Sequence, residues 1–340
     1  MRGGGLMQGL HQERTMRATQ AFIEQTGGPE VIQWHEVDLP APGPREVLIR
    51  HEAVGLNFID TYLRTGLYPM RLPGLLGFEA AGVVEAVGSE VTRFKPGQRA
   101  ASFGGTPGAY ATARIAKEAE LFPLPDGIDS QTAAAVFLKG ATTEALAERV
   151  APVPEGGWAL VPAAAGGVGL LLVQWLKARG VRVIGTVGSL EKVALALEAG
   201  AEQVFLSDDP DLVAKVRETT GGAGVRVSYD GVGAASWQSS LDSMAARGTV
   251  VSFGNASGPV TGVALRDLAT RGSLFVTRPG VYDYYRDPAE ALTGAAKLWD
   301  MVASGKLKIT VGQTYPLTEA AQAHRDLEAR KTTGSTLLLP

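Results

Sequence analysis

The stretch WALVPAAAGGVGLLLVQWLKARGVRVIGTVGSLE occupies residues 158–191 and decides the fold of this chain. It begins with a short apolar run that is typical of a buried parallel strand and continues through the glycine-rich turn AAAGGVG. An amphipathic helical pattern over residues 170–178 follows and ends at Gly180. A second β-branched run at residues 181–187 completes a strand–turn–helix–strand unit. The stretch therefore predicts one βαβ unit of a parallel sheet.

The turn between the first strand and the helix carries Gly166, Gly167 and Gly169. Glycines at such a turn let the backbone approach a pyrophosphate, and the helix N-terminus offers free N–H groups and the positive end of its dipole. The spacing is A-x-x-G-x-x-G rather than G-x-G-x-x-G, so a tight turn in another kind of α/β sheet is an alternative. Because a strand and a helix flank the turn, we predict a dinucleotide site.

The end of the second strand indicates which dinucleotide is bound. NAD enzymes place Asp or Glu there to bind the ribose 2′-hydroxyl. Here the strand ends in Gly188 and Ser189, with Lys192 close behind. A lysine and a small hydroxyl residue would attract a 2′-phosphate, although Lys192 could also be a solvated helix residue. Glu191 fits a helix cap. The pattern favours NADPH.

Composition limits the class of protein. The chain has 340 residues, 45% hydrophobic and 20% charged, which suits a globular protein of about two domains. A net charge of -3 gives no basic field for nucleic acid or an anionic membrane, and no apolar run is long enough for a transmembrane helix. The absence of cysteine excludes disulfides, thiol catalysis and cysteine-ligated metals.

Residues 1–15 (MRGGGLMQGLHQERT) lack the long apolar segment of a secretory signal peptide. We interpret them as a disordered leader, with Met16 as a candidate functional start. The expected location is the cytoplasm.

The part of the chain before residue 130 has the pattern of a barrel-like, all-β domain. Residues 57–68 (NFIDTYLRTGLY) form a short helix or loop there. Gly- and Pro-rich turns separate the predicted strands, which lie at residues 17–24, 31–37, 46–53, 82–87 and 99–103.

From about Ser130 helices alternate with strands, which predicts a doubly wound parallel sheet. The helices are expected at residues 130–137, 141–148, 192–199, 210–219 and 236–244, and the further strands at 203–206, 225–229, 248–253 and 274–276. After residue 284 the pattern predicts helices at 288–304 and 318–330 and strands near 307–311 and at 335–339. This terminal part is expected to fold back onto the first domain.

Several stretches together carry a resemblance to a known family. Besides the stretch from AAAGGVG to TVGS, they are LNFIDTYLRTGLY, GFEAAGVVEAVGSEV, SFGNASGPV, VTRPG and AHRDLEARKTTGSTLLLP. They resemble the zinc-free NADPH:quinone oxidoreductases of the medium-chain dehydrogenase/reductase superfamily, in particular the bacterial quinone reductase branch. The match runs from about Arg17 to Pro340.

The resemblance implies an α/β fold with two domains. A GroES-like, β-rich catalytic domain would comprise residues 16–138 and 284–340, and a doubly wound Rossmann domain that binds NADPH would comprise residues 139–283. The resemblance also implies a homodimer and a small-molecule quinone as substrate. We expect no nucleic acid and no membrane among the partners.

The sequence also indicates why no metal is expected. Zinc alcohol dehydrogenases of this superfamily have a cysteine ligand in the segment that matches residues 57–60 and a histidine in the one that matches residues 77–79. Here Phe78 occupies the histidine place, and the scattered His11, His35, His51 and His324 lack zinc-like spacing. Without a Lewis acid the substrate should accept hydride unaided, as a quinone or an activated enone does.

The resemblance further implies the residues of the site. The catalytic candidates, which border the nicotinamide and the quinone, are Asn57, Tyr62, Tyr68 and Thr142. The residues implied to bind the cofactor are Gly166, Gly167, Val168, Gly169, Gly188, Ser189, Lys192, Phe253, Asn255, Phe275, Thr277, Arg278 and Arg330. Ser207 stands where the family commonly has a tyrosine beside the 2′-phosphate, which reduces the expected selectivity for NADPH.

Two further residues have more than one interpretation. Asp60 could cap a helix, form a salt bridge or transfer a proton, and His324 is most simply a residue on a helix surface.

The expected activity is the metal-independent transfer of hydride from NADPH to a quinone, with Tyr62, Asn57 or water as the hydrogen-bond donor to the oxyanion. One alternative is reduction of the double bond of an alkenal or enone at the same site. An alternative of another class is an NADPH-binding protein that binds RNA or is crystallin-like, and the negative net charge argues against the RNA binding.

Overall fold

Three sheets and the helices around them make up the described part of the chain. The computed structural model describes residues 15–340, and apart from Thr15 the predicted leader at residues 1–15 lies outside the described residues. No helix among residues 15–340 is both long enough and apolar enough to cross a membrane.

The first sheet belongs to the β-rich unit and has seven strands. Its strands are β3 (Glu46–Leu56), β5 (Glu79–Val87), β6 (Arg99–Ser102), β7 (Ala113–Lys117), β8 (Leu121–Pro123), β15 (Val311–Pro316) and β16 (Ser335–Leu339). A smaller sheet contains β1 (Met16–Ile23), β2 (Gln33–Leu39) and β4 (Gly74–Leu75). The last strand of the chain, β16, pairs antiparallel with β3, so the C-terminal part returns to the first unit as predicted.

The second sheet is parallel throughout. Its strands are β9 (Trp158–Val161), β10 (Arg182–Val187), β11 (Gln203–Leu206), β12 (Val225–Asp230), β13 (Met244–Ser252) and β14 (Phe275–Thr277). Their order in the sheet is β11-β10-β9-β12-β13-β14. The strand order therefore runs toward one edge from β9 and toward the other edge from β12. This is the doubly wound arrangement, and its ligand crevice lies at the carboxyl ends of those two strands. The predicted fold class is confirmed.

Five helices follow the strands of this sheet, and five others pack on the first unit or between the two units. The first group is α3 (Gly167–Ala178), α4 (Val193–Ala199), α5 (Leu212–Thr219), α6 (Trp237–Asp242) and α7 (Leu265–Thr270). The second group is α1 (Phe58–Thr65), α2 (Ser130–Glu144), α8 (Val281–Tyr284), α9 (Pro288–Ala303) and α10 (Ala320–Glu328).

Helix α2 corrects one prediction, because the two helices expected at residues 130–137 and 141–148 are continuous. A π-helical turn, Ala145–Val150, extends α2. Gly140 lies inside the helix rather than at a break, since a Cβ there would lie 2.5 Å from Leu298 Cδ1 of α9. The glycine permits two helices to approach closely. Helix α2 also packs against β3, β5, β6 and α3, and so joins the two units.

The strand predicted near residues 307–311 is also displaced, to Val311–Pro316. The apolar residue that suggested a strand, Leu307, is buried at the end of α9, where its N–H donates to the Met301 carbonyl. Gly305 adopts a left-handed φ of 71° at the same turn. These contacts are typical of a helix end that is fixed by a following apolar residue.

Candidate active site

A cavity of about 760 Å³ lies between the two units. Residues that directly follow β9, β10, β12 and β13 line one wall, and residues of α1 and α2 line the wall opposite. This is the crevice in which ligands of doubly wound sheets bind.

Most of the predicted site residues border this cavity. Those that line it are Asn57, Tyr62, Tyr68, Thr142, Gly166, Gly167, Val168, Gly169, Gly188, Lys192, Phe253, Arg278 and Arg330. Asn255 is buried next to it and bonds to two of the lining tyrosines. Ser189 lies beside the wall, where its hydroxyl donates to Glu191. Phe275 and Thr277 are on β14 and do not line the cavity; the Phe275 side chain is 61% exposed.

The glycine turn after β9 has the shape that a pyrophosphate requires. Helix α3 starts at Gly167, and no side chain caps its first N–H groups. A Cβ on Gly169 would lie 2.2 Å from the Ala163 carbonyl oxygen, so the helix can approach the strand only without a side chain there. At Gly188 a Cβ would meet no protein atom within 4 Å, which leaves open space on the cavity side. The turn therefore fits a dinucleotide.

A cationic corner lies beyond the end of β10. Lys192 Nζ donates to the carbonyl oxygens of Arg330, at 2.9 Å, and Thr332, at 3.3 Å, and so ties the C-terminal segment to this corner. Ser207 and Asp208 also line the cavity there. The two cations fit a 2′-phosphate, whereas the Asp208 carboxylate opposes it.

The opposite end of the cavity holds a hydrogen-bonded cluster of two tyrosines. The Asn255 backbone N–H donates to Tyr62 Oη at 2.9 Å, and Asn255 Nδ2 donates to Tyr68 Oη at 3.2 Å. The Arg278 guanidinium donates to Tyr68 Oη at 2.9 Å. Arg278 follows β14 and Lys192 follows β10. The two ends of the cavity therefore lie four strand positions apart, which is roughly 19 Å at the usual distance between neighbouring strands.

Burial keeps the Tyr62 phenol protonated. It raises the pKa of Tyr62 to about 12. Because both phenol oxygens accept hydrogen bonds from residues that follow strands of the parallel sheet, the hydrogens of Tyr62 and Tyr68 remain free to donate into the cavity.

A buried carboxylate organises the wall formed by α1 and α2. Glu79 is fully buried, and it accepts hydrogen bonds from Asn57 Nδ2 at 2.7 Å and from the Leu138 N–H at 2.7 Å. Lys139 Nζ lies 3.3 Å from the same carboxylate. Asn57 Nδ2 also lies 3.4 Å from the Gly55 carbonyl, so both amide hydrogens are engaged and Asn57 presents its carbonyl group as an acceptor.

Behind this wall a chain of buried polar groups starts at Asp60. Its carboxylate accepts from the Asn57 N–H at 2.9 Å and from Tyr110 Oη at 3.1 Å, so Asp60 caps helix α1. Tyr110 Oη lies 2.9 Å from His324 Nε2, and Arg64 lies next to His324 and bonds to Glu328.

Burial sets the protonation of these groups. It raises the pKa of Asp60 to about 7 and lowers the pKa of His324 to about 3. His324 is fully buried, so its interpretation as a helix-surface residue was wrong. One side of α10 faces the core, because Ala320 and Ala323 pack there beside His324.

Sequence reasoning missed several residues that line the cavity, among them Lys139, Asp208 and Tyr282. For Lys139 a signal existed: it is a lysine within the largely apolar α2 stretch SQTAAAVFLKGATTE. Tyr282 gave no local signal, because only the fold brings α8 to Gly104, where a Cβ would lie 2.2 Å from the Tyr282 ring.

Among residues 15–340 no group of three or more His, Asp or Glu side chains is placed to hold a metal ion. Of the described histidines, His51 Nδ1 donates to the Ala111 carbonyl and His324 bonds to Tyr110. The conventional zinc ligand set of the alcohol dehydrogenases therefore has no counterpart in these residues.

Two family models match the chain. The Alcohol dehydrogenase GroES-like domain matches residues 43–126, and the Zinc-binding dehydrogenase model matches residues 167–292. A quinone oxidoreductase of Pseudomonas aeruginosa is 50% identical over 92% of this chain and 97% of the relative. A 2-haloacrylate reductase of a Burkholderia species is 40% identical over 94% of this chain and 98% of the relative.

A solved structure also matches this chain along its whole length. The crystal structure of Escherichia coli quinone oxidoreductase complexed with NADPH superposes with a TM-score of 0.92 at 45% identity, and the match covers 95% of this chain and all of that one.

Proposed function

Because this chain belongs to the quinone oxidoreductase family of the medium-chain dehydrogenase/reductase superfamily, we propose that it reduces quinones with NADPH. The observation that carries this proposal is the arrangement of the cavity from end to end. An uncapped helix N-terminus and a lysine–arginine corner occupy one end, and two tyrosine hydroxyls occupy the other. The first end suits a phosphorylated dinucleotide and the second suits a small oxygen-bearing acceptor.

The chain's own residues orient the substrate and stabilise negative charge. NADPH, when bound, supplies the hydride, which carries two electrons and one hydrogen nucleus. Tyr62 and Tyr68 donate hydrogen bonds to the quinone oxygen that becomes an anion, and Arg278 polarises the Tyr68 hydroxyl. A proton from solvent then completes the hydroquinone. Apolar walls, to which Phe58 and Leu138 contribute, exclude water and strengthen these interactions.

A second candidate function is reduction of an activated carbon–carbon double bond. It is favoured by the similarity to the 2-haloacrylate reductase, since such an enzyme acts on an alkene conjugated to a carboxylate. The same tyrosines would then bind the oxygen of an enone, and the hydride would reach its β-carbon.

We also propose that the chain forms a homodimer in the cytoplasm and that the domain boundaries are residues 16–138 and 284–340 against 139–283. All six parallel strands lie within the last range, which supports these boundaries. Support for a dimer comes from β14, which is the terminal strand of its sheet and presents the exposed side chains of Phe275 and Val276.

The experiment that tests the proposed function follows the oxidation of NADPH and NADH with 1,4-benzoquinone and with an alkenal, each with and without a chelator. We expect turnover with benzoquinone that prefers NADPH and does not change with the chelator. Faster turnover of the alkenal would favour the second candidate. Tight NADPH binding without turnover of either acceptor would contradict both proposed activities, and inactivation by the chelator would contradict metal independence.

A further inference from the structure

Lys139 is more deeply buried than a lysine normally is. Its relative exposure is 6%, and it lies in the middle of α2 among apolar residues. Lysines are rarely buried to this extent unless they are paired. The pairing here is with Glu79, whose Oε2 lies 3.3 Å from Lys139 Nζ. A buried pair of this kind is weak evidence for stability, because desolvation offsets the attraction.

The hydrogen bonds leave Lys139 with donors to spare. Among the described residues Glu79 is the hydrogen-bond partner of its ammonium group, which has three N–H donors. Glu79 also accepts from Asn57 and from the Leu138 N–H, so the carboxylate is satisfied. Lys139 lines the cavity, and its remaining N–H groups are therefore available to a molecule bound there.

Two polar residues near Lys139 on this wall, Asn57 and Thr142, have no hydrogen to offer. Both amide hydrogens of Asn57 are engaged, with Glu79 and the Gly55 carbonyl. The Thr142 hydroxyl donates to the Leu138 carbonyl at 2.8 Å. This part of the wall therefore presents two acceptors and one cationic donor, and the donor is Lys139.

The Lys139 side chain runs along the glycine turn and ends at Glu79. A Cβ on Gly167 would lie 2.8 Å from Lys139 Cδ and 3.0 Å from Lys139 Cε, so the stem lies against the turn. Beyond that contact the ammonium reaches Glu79, a residue of strand β5 in the first unit, and shares one carboxylate oxygen with the Asn57 amide.

We propose that Lys139 is a further catalytic residue, which donates a hydrogen bond to the quinone oxygen that becomes anionic when hydride is added. This inference rests on the proposed function. Hydride addition brings two electrons and one hydrogen nucleus to the quinone and leaves one oxygen as an anion. The ammonium group keeps its protons and stabilises this anion, while Glu79 fixes its position. A proton from solvent completes the hydroquinone.

The test compares Lys139→Met with Lys306→Met, in which an exposed lysine is changed in the same way. For each variant, NADPH affinity is measured by fluorescence titration, and hydride transfer is measured in single turnover with a series of quinones of different electron affinity. We expect Lys139→Met to bind NADPH within about twofold of the unmodified chain and to transfer hydride about 100-fold more slowly. The loss should be greatest for the least electron-poor quinones, because their oxygen anions need the most stabilisation. Lys306→Met should behave like the unmodified chain.

Unchanged hydride transfer in Lys139→Met, or an equal loss for every quinone, would overturn the proposal, as would weaker NADPH binding with an unchanged rate at saturation. If Lys139→Met does not fold because Glu79 is left unpaired, the double variant Lys139→Met/Glu79→Gln removes both charges and must show the same dependence on the quinone. No turnover by the unmodified chain would show that the proposed function itself has failed.

Discussion

At the scale of single residues, the site depends on polar groups that the fold has removed from water. Asp60 illustrates the cost and the use of such burial. Its side chain caps helix α1, which carries Tyr62, and thereby fixes the Asn57 backbone beside the cavity. Its second oxygen has no hydrogen-bond partner among the described residues. Burial without full compensation raises the pKa of Asp60 to about 7, with the Glu79 charge adding to the effect.

We therefore expect Asp60→Asn to change the pH dependence of stability. In the unfolded chain Asp60 ionises near pH 4, whereas in the folded protein it stays neutral up to about pH 7. A carboxyl group with a raised pKa binds its proton more tightly when folded, so its contribution to stability is lost as the pH rises through this window. The free energy of unfolding of the variant, taken relative to that of the unmodified chain, should therefore increase by roughly 3 kcal/mol as the pH rises from 5 to 8.

The measurement is the melting temperature of both proteins at several pH values. The buried His51 and His324 destabilise the fold as the pH falls below their unfolded pKa, but both proteins share them, so the difference isolates Asp60. The unpaired amide of the variant costs about 1–3 kcal/mol at every pH. A difference in melting temperature that does not vary with pH would contradict the raised pKa.

At the scale of elements, the βαβ unit at residues 158–187 could be predicted because its pattern is local. A strand, a glycine turn and a helix each leave a signature in consecutive residues, and the observed elements begin and end within a few residues of the predicted ones. Helix α2 and strand β15 were less predictable because distant residues decide them. Gly140 lies inside a helix because Leu298 of α9 packs closely against it. Leu307 lies at a helix end because its N–H donates to the Met301 carbonyl.

The site follows the same division. The spacing of the residues in the glycine turn and at the end of β10 predicts a dinucleotide site, and the structure places most of these residues around one cavity. In contrast, the contacts of Tyr68 with Arg278 and of Lys139 with Glu79 join segments far apart in the chain. No local pattern encodes such pairs. His324 was misplaced although a local pattern existed, since it shares the core-facing side of α10 with Ala320 and Ala323.

The two glycines of the dinucleotide crevice should respond differently to alanine. In Gly169→Ala the new Cβ meets backbone atoms, the Ala163 oxygen at 2.2 Å and Ala164 at 2.9 Å, which cannot move aside as a side chain would. We expect a loss of about 1–3 kcal/mol in stability, or a failure to fold. In Gly188→Ala the Cβ meets no protein atom within 4 Å. This variant should keep its melting temperature and bind NADPH about tenfold more weakly, because the methyl group occupies ligand space.

Thermal unfolding and NADPH titration of the two variants separate these effects. Equal stability of both variants would show that the close approach of α3 to β9 is not required. Unchanged NADPH affinity in Gly188→Ala would show that the adenosine end of the cofactor lies elsewhere.

At the scale of the whole molecule, the cavity exists only because the chain leaves its first unit and returns to it. Residues from α1 and α2, from the turns of the parallel sheet and from the segment before β16 meet around one space. The return is fixed by the pairing of β16 with β3 and by the bridge between Gly166 and Gly334. The C-terminal segment thereby contributes to the same crevice as the glycine turn, which connects cofactor binding to the assembly of both units.

The outer edge of the parallel sheet gives a prediction about assembly. In the described part of the chain β14 pairs with β13 alone, and Phe275 is 61% and Val276 39% exposed on it. Leu265, in the helix before β14, is 80% exposed. An open strand edge with apolar side chains is a surface on which a second copy of the same strand can pair.

We expect the unmodified chain to be a dimer by light scattering and Phe275→Asp to be a monomer, because the new charge would be buried in the interface. Leu197→Asp is the matched control, since Leu197 is 44% exposed on α4, and it should stay dimeric. A monomeric unmodified chain would contradict the homodimer, and a dimeric Phe275→Asp variant would move the interface away from this edge.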